Sequence, residues 1–388
     1  MAKEKILFVI PLYGDVPGGG ERLCRFLAEK LTDHFDVEVA TTKAKNFSSW
    51  KNYFEQDEEM INNVLVRRFA TKFERSKANI ETQHFLRLEP ANHELFLRWL
   101  IEQGPISEGL EDFIEKNHQN YKKIIVFQYL YATAYKTIQI VPEDKLVFVP
   151  LAHDELVIRF GGFFEMFKKP EWLVYCSQAE KKIVDRFYFL TDKRYVVAGG
   201  GVDVPDDIPT QEEIRKKYGL ENYLVYVGRI DPSKGVAQLV DFFLKFKKRN
   251  KSNLKLVLVG KEVRRMQINK DIVVTGFVSE QEKFGLVGAS EMLINPSQFE
   301  SLSFVVLEAF FMKKPVIVNG LCEVTKSHCQ KAQAGLWYTK YDEFEEVVKY
   351  ILKNKQEKDQ MGQNGYEYAM QNYTWDRVVE KWLNVLNS

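Results

Sequence analysis

The first half of the chain alternates short, continuous apolar runs with longer segments in which apolar residues recur at helical spacing. A short run that is apolar at almost every position is typical of a strand buried on both faces of a parallel sheet. The predicted strands are Lys5–Ile10, Val37–Thr41, Val64–Phe69, Lys123–Phe127, Leu146–Leu151, Leu173–Cys176 and Tyr195–Ala198. Helices are predicted at Glu21–Leu31, His93–Glu102 and Ile106–Asn117. Strands that alternate with helices favour a doubly wound α/β sheet.

The second half repeats this pattern. Its predicted strands are Tyr223–Val227, Leu254–Gly260, Ile272–Gly276, Met292–Ile294 and Pro315–Val318. Its predicted helices are Val236–Lys248, one that begins at Glu280, Ser303–Met312 and Gly365–Leu386. Between the halves, the segment from Asp203 to Thr210 carries Pro205 and Pro209 and is typical of a linker. The sequence therefore predicts an α/β protein with two doubly wound domains that meet near residue 205.

Composition narrows the function classes. A chain of 388 residues is long enough for roughly two domains, each with its own core. The 55 basic and 54 acidic residues nearly cancel, which argues against a nucleic-acid partner. No uncharged run reaches the roughly 18 residues that span a bilayer, and the amino terminus runs directly into a strand, so we expect no cleavable leader. The four cysteines have no CxxC spacing, as is typical of reduced thiols in a cytoplasmic protein.

A glycine-rich loop follows the first predicted strand. Pro17, Gly18, Gly19 and Gly20 stand directly before the helix that begins at Glu21. A strand, a glycine loop and a helix start in this order resemble the phosphate-approach turn of a Rossmann-like unit. Three adjacent glycines do not match GxGxxG, so the loop does not identify a dinucleotide. It predicts that a ligand comes close to the backbone at Gly19 and Gly20.

Polar residues follow later strands of the first half, at the edge where open α/β sheets bind their ligands. Gln128 follows the fourth predicted strand, and His153 and Asp154 follow the fifth. His153 is a candidate for catalysis, and the alternative is a hydrogen-bonded structural histidine. Ser177 and Glu180 have the spacing of a capping box at the start of a helix.

Two glutamates flank the start of the most apolar helix. Asn295 begins a turn that ends the preceding strand, Glu300 follows in the loop, and Glu308 lies inside the helix. A buried carboxylate costs roughly several kcal/mol unless it is hydrogen-bonded or paired, so Glu308 requires a polar partner. The amides of residues 301–303 would form a positive helix end suited to a phosphate or a sugar hydroxyl. The alternative is that Glu300 is only a charge at the helix start and Glu308 a satisfied core acid.

Two cations share the loop after the first strand of the second half. Arg229 and Lys234 lie in a segment that begins at Gly228 and ends at Gly235. An arginine fork matches phosphate oxygens, and a lysine adds a point charge. A diphosphate leaving group needs such neutralisation as its bond breaks. The alternative is a solvated turn with two ordinary surface charges.

These motifs together resemble the donor-site signature of retaining glycosyltransferases of the GT-B fold, family four. The resemblance rests first on Arg229 and Lys234, followed by Glu300-x7-Glu308. It covers nearly the whole chain, because further motifs occur in the family's order. They are the glycine loop after the first strand, His153-Asp154, Ser177-x-x-Glu180, Gly201-Val202-Asp203 and Tyr373-Thr374-Trp375.

The resemblance implies a GT-B architecture, in which two Rossmann-like domains face a cleft. Residues 1–205 would form the N-terminal, acceptor-side domain, and residues 206–373 the C-terminal, nucleotide-sugar donor domain. The family's last helix crosses back to the first domain, which we expect of residues from about 374 to 388.

The resemblance also implies a role for each matching residue. Arg229 and Lys234 would hold the donor pyrophosphate, and Glu308 the ribose hydroxyls. Glu300 would hold the sugar ring, and His153 would lie near the reacting carbon. The other implied binding positions are Phe277 and Val278 beside the base, the amides of Ser301, Leu302 and Ser303 at the sugar, and Gly19 and Gly20 near the donor or the acceptor. The candidate catalytic residues are thus Glu300, His153, Arg229 and Lys234.

The implied reaction is the transfer of a hexosyl group from a UDP- or GDP-sugar, with retained anomeric configuration. The acceptor would be a saccharide, a glycoconjugate or a lipid-linked molecule, in the synthesis of a surface polysaccharide or glycan. No DxD motif occurs and the family uses no catalytic metal, so we expect no cofactor and no metal site. Arg229, Lys234 and helix ends would supply the counter-charge instead. The alternatives are a GT-B phosphorylase or epimerase, and a catalytically inactive nucleotide-sugar binder.

Two stretches depart from the family's pattern, and a third leaves its role open. Ser301 and Leu302 stand where the family often has an aromatic residue and glycine, and Gly200 stands where it often has asparagine. The first departure concerns the donor sugar more than the fold. The segment from Phe160 to Lys169 mixes aromatic residues with lysines, which is explained by core packing or by peripheral contact with the inner face of a membrane.

Overall fold

The computed structural model describes residues 3–16, 18–263 and 268–388. The chain forms two compact units, Met1–Gly200 with Val378–Ser388, and Gly201–Arg377. The sequence placed these boundaries at 205/206 and near 373/374. The second unit takes in the additional residues because the amide of Val202 donates to the carbonyl of Tyr373 over 3.0 Å. Gly201 also packs so closely on the Trp375 ring that a Cβ would lie 2.4 Å from Cδ2.

The first unit is built on an eight-stranded sheet with the order β3-β4-β2-β1-β5-β6-β7-β8. Its neighbours pair in parallel, apart from β3 and β4, which pair antiparallel. The strands are β1 (Lys5–Val9), β2 (Asp36–Thr42), β3 (Glu58–Ile61), β4 (Val64–Phe69), β5 (Lys123–Phe127), β6 (Leu146–Val149), β7 (Trp172–Tyr175) and β8 (Arg194–Val197). The apolar runs that predicted the parallel strands are confirmed.

The strand β3 is a difference from the prediction. Val64–Phe69 was expected to be the third strand and is the fourth, because β3 lies at the sheet edge and has no continuous apolar run. Its alternate residues are exposed, and ion pairs of Arg67 with Glu58 and of Arg68 with Glu59 hold it against β4. Local hydrophobicity therefore carries little information about this strand.

In the described part of the first unit, seven α-helices lie between β1 and β8. They are α1 (Gly19–Leu31), α2 (Asn79–Leu88), α3 (His93–Gln103), α4 (Glu108–Asn117), α5 (Ala132–Ile140), α6 (Phe164–Lys168) and α7 (Gln178–Tyr188). α1 forms as predicted because Leu23, Leu27 and Leu31 recur on one face and are buried. In the aromatic segment near α6, Phe160, Phe163 and Phe167 are buried, whereas Phe164 is exposed. Core packing thus explains most of that segment.

The second unit is built on a six-stranded sheet with the order β11-β10-β9-β12-β13-β14, parallel throughout. The strands are β9 (Tyr223–Val227), β10 (Lys255–Val259), β11 (Ile272–Gly276), β12 (Met292–Asn295), β13 (Val316–Asn319) and β14 (Gly335–Tyr338). The helices are α8 (Gln211–Tyr218), α9 (Val236–Arg249), α10 (Glu280–Ala289), α11 (Phe304–Phe311), α12 (Glu323–Ala332), α13 (Tyr341–Lys353) and α14 (Lys355–Asn372). Two doubly wound sheets were predicted, and both are confirmed.

The predicted closing helix is divided into two. α14 ends at Asn372, and α15 (Trp375–Leu386) begins after a short break. From Val378 onward α15 belongs to the first unit, where Lys122 donates to Asn387 over 3.2 Å and the Trp172 indole donates to Ser388 over 2.9 Å. The prediction that the last helix crosses back to the first domain is confirmed.

Each sheet reverses its strand order at one point. In the second unit, β10 and β11 extend from one side of β9, while β12 lies on its other side. The loops after β9 and β12 therefore emerge side by side at the carboxyl edge, where doubly wound sheets open a crevice for ligands. In the first unit β1 and β5 have the corresponding position. Within the described residues, no helix has the length and apolar character needed to cross a membrane.

Candidate functional site

The loop after β9 is a short, well-anchored turn. The Asp231 carboxylate accepts a hydrogen bond from the Ser233 amide over 2.8 Å. Hydrogen bonds from the Ser233 hydroxyl and from its amide hold the pKa of Asp231 below its ordinary value. The bond from the amide starts a single 3-10 turn that ends at Lys234. Gly235 follows with φ 75°, and a Cβ there would lie 2.5 Å from the Pro296 carbonyl oxygen. Glycine is therefore required for the β9 loop to contact the β12 loop.

Two asparagines at neighbouring strand ends hold the loop after β12. The Asn295 amide donates to the Ser303 hydroxyl over 2.8 Å, and its carbonyl oxygen accepts from the Ser297 backbone over 3.0 Å. Asn319, at the end of β13, donates to the Pro296 carbonyl over 3.0 Å. Ser303 lies in the left-handed region with φ 68°, a conformation that non-glycine residues adopt only when their surroundings impose it. The turn that carries Glu300 is thus held at both ends.

Lys234 and Glu300 meet between these loops. The Lys234 ammonium lies 3.0 Å from a Glu300 carboxylate oxygen, and both side chains are partly exposed. Arg229 is exposed, and its carbonyl accepts from the Tyr226 hydroxyl over 2.7 Å. Burial and the Glu300 carboxylate raise the pKa of Tyr226, while the Arg229 charge opposes them. The structure therefore brings Lys234 and Glu300 together, and Arg229 lies on the same loop as Lys234. That the three residues form one donor site stays a prediction.

Of the two cations, Arg229 and Lys234, Arg229 has fewer side-chain contacts. Across residues 3–16, 18–263 and 268–388, its guanidinium forms no hydrogen bond or ion pair with a side chain. An exposed guanidinium beside a lysine at the carboxyl edge of a parallel sheet is a suitable receptor for an anionic group such as a diphosphate.

Glu308 is buried and paired. Its carboxylate lies 2.8 Å from the ammonium of Lys283, which also lies 2.8 Å from Glu280. The need for a polar partner was predicted, but Lys283 was not identified. The available signal was a lysine inside α10, a helix whose remaining residues from Phe284 onward are apolar or small. The expected contact of Glu308 with ribose stays a prediction.

The three residues after Glu300 have different environments. Ser301 is partly exposed, whereas the side chains of Leu302 and Ser303 are buried. Leu302 therefore presents only its backbone to a ligand. Its carbonyl oxygen lies 3.0 Å from Nε2 of His328, a residue of α12 that sequence reasoning missed. α11 begins directly after this turn, at Phe304.

Phe277 and Val278 follow β11, the edge strand of the sheet. Gly276 has φ 74°, and Phe277 after it is 89% exposed, while Val278 is partly buried. β11 is separated from β9 by β10. An aromatic ring this exposed is suited to stacking on a planar ligand, and its position beside a base stays a prediction.

The glycine loop of the first unit packs against two strand ends. A Cβ on Gly20 would lie 2.6 Å from Leu151 and 2.8 Å from Gln128, whereas one on Gly19 would meet nothing within 4 Å. Gly20 therefore serves close packing, and Gly19 borders open space. Pro17, the first residue of the predicted loop, lies outside the described residues. Gln128 has φ 68° and donates to the buried carboxylate of Glu21 over 2.6 Å.

His153 is held by its neighbours at the end of β6. Its Nδ1 lies 3.5 Å from the Glu155 carboxylate, which accepts from the Tyr129 hydroxyl over 3.0 Å. The buried carboxylate of Glu180 accepts from the amides of Ala152 (2.7 Å) and Cys176 (2.6 Å), and burial raises its pKa to about 7. This bonding corrects the predicted capping box. Its first half is present, since the Glu180 amide donates to Ser177, but the carboxylate joins the ends of β6 and β7.

The candidate residues are divided between the two units. His153, Gly19 and Gly20 lie in the first unit, and the remaining candidates lie in the second. Residues that sequence reasoning did not identify are Lys283, His328, Asn319 and Glu21. Within the described residues, histidine, cysteine and acidic side chains form no cluster of three or more that could hold a metal ion.

A known protein family matches the second unit of the chain. The model of the family described as glycosyl transferases group 1 matches residues 207–368, which lie entirely in the second unit. The second unit is therefore similar to the group 1 glycosyltransferase domains. The resemblance to GT-B glycosyltransferases is confirmed, whereas retention and membership of family four stay predictions.

Relatives extend the similarity over much of the chain. An uncharacterized glycosyltransferase of Methanocaldococcus jannaschii is 22% identical over 341 residues, which are 79% of this chain and 85% of the relative. The alpha-D-kanosaminyltransferase of Streptomyces kanamyceticus is 24% identical over 165 residues, 39% of this chain and 42% of its own. The match thus spans less than half of that enzyme.

A solved structure confirms the GT-B fold over the whole chain. The HepE protein of Anabaena, in complex with UDP and glucose, has a TM-score of 0.69. The two sequences are 15% identical, and the alignment covers 99% of this chain and 100% of the other.

Proposed function

We propose that the protein transfers a hexosyl group from a nucleotide-diphosphate sugar to a hydroxyl of a saccharide, glycoconjugate or lipid-linked acceptor, with retained anomeric configuration. The observation that carries the proposal is the Lys234–Glu300 pair between the β9 and β12 loops, 3.0 Å apart. The exposed guanidinium of Arg229 lies on the same loop as Lys234. Two cations and one carboxylate at a strand-order reversal are suited to a ligand that has both a diphosphate and a sugar.

In this proposal the donor replaces the internal ion pair. Arg229 binds the diphosphate with its planar fork, and Lys234 turns from Glu300 toward the phosphate oxygens. Glu300 is then released to accept hydrogen bonds from sugar hydroxyls. The pair in the free protein keeps both groups in place and limits the side-chain entropy lost on binding.

The transfer step needs charge stabilisation where the leaving group forms. The bond between the anomeric carbon and the diphosphate oxygen breaks, and the acceptor oxygen bonds to that carbon on the same face. The acceptor proton passes to the departing diphosphate. Arg229 and Lys234 stabilise the negative charge that develops on it, and we propose that they do so without a divalent metal. The role of His153 that the resemblance implies stays a prediction.

The first donor to test is UDP-glucose. Support for a uridine nucleotide comes from the Anabaena structure, which holds UDP and glucose. The substitution of Ser301 and Leu302 for the family's aromatic residue and glycine argues for a panel of sugars rather than one. The panel comprises UDP- and GDP-linked hexoses, each with and without simple saccharide acceptors.

The experiment follows release of UDP or GDP and determines the anomeric configuration of the product by NMR. We expect turnover of at least one donor, acceptor-dependent and unchanged by EDTA. Lys234→Met should lose activity, whereas Lys248→Met, at an exposed lysine of α9, is the matched control. Binding of no nucleotide sugar would contradict the proposal. Turnover that needs inorganic phosphate would favour the phosphorylase alternative.

A further inference from the structure

His328 lies beneath the turn that follows Glu300, and both of its ring nitrogens are engaged. Nε2 is 3.0 Å from the Leu302 carbonyl oxygen, and Nδ1 is 3.1 Å from the Tyr368 hydroxyl. A carbonyl oxygen only accepts hydrogen bonds, so Nε2 carries the proton. Burial lowers the pKa of His328 to about 4, so the ring is neutral at physiological pH. Nδ1 is then an acceptor, and the Tyr368 hydroxyl donates to it.

The hydrogen-bond chain continues beyond Tyr368. The Tyr368 and Tyr373 hydroxyl oxygens are 3.1 Å apart, and since the Tyr368 proton goes to His328, Tyr373 donates to Tyr368. The three rings also pack together, with centroids 5.5 to 6.0 Å apart. We call the residues Tyr373, Tyr368, His328 and Leu302 the relay. Every donor in the relay points toward Leu302, so its direction is determined.

The far end of the relay lies where the chain leaves the second unit. The Tyr373 carbonyl accepts from Val202 over 3.0 Å, and the second unit comprises residues 201–377. The relay therefore joins the turn after Glu300 to both terminal segments of its unit. These contacts all lie within the second unit.

The Leu302 carbonyl controls the direction of one amide. A peptide group is planar and trans, so its C=O and N–H point in opposite directions. Because the Leu302 carbonyl points toward His328, the Ser303 amide points away from His328. This amide is one of those proposed to hold the donor sugar. If His328 released the carbonyl, the 302–303 peptide could rotate and carry the amide with it.

We propose that His328 is a positioning residue of the donor site, which orients the Ser303 amide for the sugar through the Leu302 carbonyl. The inference rests on the proposed nucleotide-sugar function. It adds a residue that touches no substrate and that lies 26 positions from Leu302 in the sequence. The Asn295 side chain donates to the Ser303 hydroxyl over 2.8 Å, so a helix holds Leu302 and a strand end holds Ser303, the two residues of this peptide.

The test compares two replacements of the same ring. His328→Gln keeps an N–H that reaches the Leu302 carbonyl, whereas His328→Leu fills the space and removes the donor. The readouts are the dissociation constant for UDP, which lacks the transferable hexosyl group, and kcat/KM for UDP-glucose or the panel donor that the parent turns over. We expect His328→Leu to lower kcat/KM on the order of ten- to a hundred-fold, as loss of a supporting contact commonly does. UDP affinity should stay within about two-fold of the parent, and His328→Gln should recover most of the activity.

Other outcomes overturn the inference. Equal kcat/KM for His328→Leu and the parent would mean that the carbonyl needs no histidine. Equal losses in the leucine and glutamine variants, in UDP affinity as well as in kcat/KM, would mean that His328 only supports the fold. If His328→Leu does not fold, Tyr368→Phe decides, because it keeps the ring and removes the proton donated to Nδ1. We expect a few-fold loss of kcat/KM there, and no loss would contradict the relay. A parent that binds no nucleotide sugar would instead refute the proposed function, and the inference with it.

Discussion

The Lys283–Glu308 pair allows a quantitative test of what holds α10 against α11. Glu308 is 1% exposed and Lys283 is 9% exposed, with 2.8 Å between the charged atoms. At an effective dielectric constant of about 20, that distance corresponds to an attraction of about 6 kcal/mol, from which the desolvation of both groups must be subtracted. Lys283→Met keeps most of the volume of the lysine stem and removes only the charge. It leaves the Glu308 carboxylate buried without its cation.

We expect Lys283→Met to destabilise the second unit by about 3–5 kcal/mol. The additional pair with Glu280 contributes little, because that carboxylate is 56% exposed. Lys283→Met combined with Glu308→Leu removes both charges and should recover most of the loss. The double variant thus separates the free-energy cost of a buried carboxylate that has lost Lys283 from the net stabilisation that the pair contributes.

Hydrogen–deuterium exchange measures the loss of stability within the second unit alone. The chain has two units, so one global unfolding curve does not report either of them cleanly. Exchange of peptides from α10 and α11 gives the opening free energy where the pair lies. The matched control is Lys217→Met, which removes a 61% exposed lysine from its pair with Glu282 and should cost less than about 1 kcal/mol. A loss of under about 1 kcal/mol in Lys283→Met would refute the reasoning.

The pair also changes how the ribose prediction is tested. Glu308→Ala would leave the Lys283 ammonium buried, so weaker binding could follow from a disturbed fold. Glu308→Gln keeps the size of the side chain and an acceptor for Lys283. If Glu308 binds ribose hydroxyls, this variant should bind UDP roughly ten-fold more weakly, consistent with a lost charge-assisted hydrogen bond. Unchanged UDP affinity would contradict that role.

Three further results are expected. The pKa of His328 is about 4 in the folded chain against an ordinary 6.5. The unfolded state therefore binds the proton first, and the free energy of unfolding falls by up to about 3 kcal/mol as the pH drops from 6.5 to 4. In urea unfolding read by hydrogen–deuterium exchange of peptides from α12, the opening free energy of the parent should fall across this pH window more than that of His328→Gln, and parallel curves for the two proteins would contradict the shift. Gly235→Ala should cost about 1–3 kcal/mol, because it combines φ 75° with a Cβ 2.5 Å from the Pro296 oxygen. Gly219→Ala is its control, with φ 61° and no atom within 4 Å, and similar losses in the two variants, measured by hydrogen–deuterium exchange of peptides from the second unit, would argue against the loop contact. Lys234→Ala should weaken UDP binding at least about ten-fold by calorimetry while the far-UV spectrum is unchanged, and parent-like affinity would remove Lys234 from the donor site.

The sequence was sufficient for the fold class and for the parallel strands other than β14, which was not predicted. β5 and β9 were predicted with the bounds that the structure has, because a strand buried on both faces is apolar along nearly its whole length. The edge strand β3 was missed because its alternating exposed residues resemble a surface segment. The break between α14 and α15 was also missed, because no glycine or proline marks it: the residues between the helices are Tyr373 and Thr374.

The candidate site was only partly readable from the sequence. The loop composition indicated Arg229 and Lys234, and the cost of burying a carboxylate indicated that Glu308 needed a partner. Neither argument could identify Lys283 or His328, because a partner's identity depends on which helices pack together.

The sequence thus determines which side chains are available, and the fold determines which of them contact one another. Lys234 and Glu300 are 66 residues apart in the chain, and they meet because β9 and β12 are neighbours in the sheet. The periodicity of apolar residues along the chain indicates which residues are buried, but it does not indicate which other buried residues they contact. The strand order and the packing of α10, α11 and α12 decide that, so the ion pairs and the relay exist only in the folded structure.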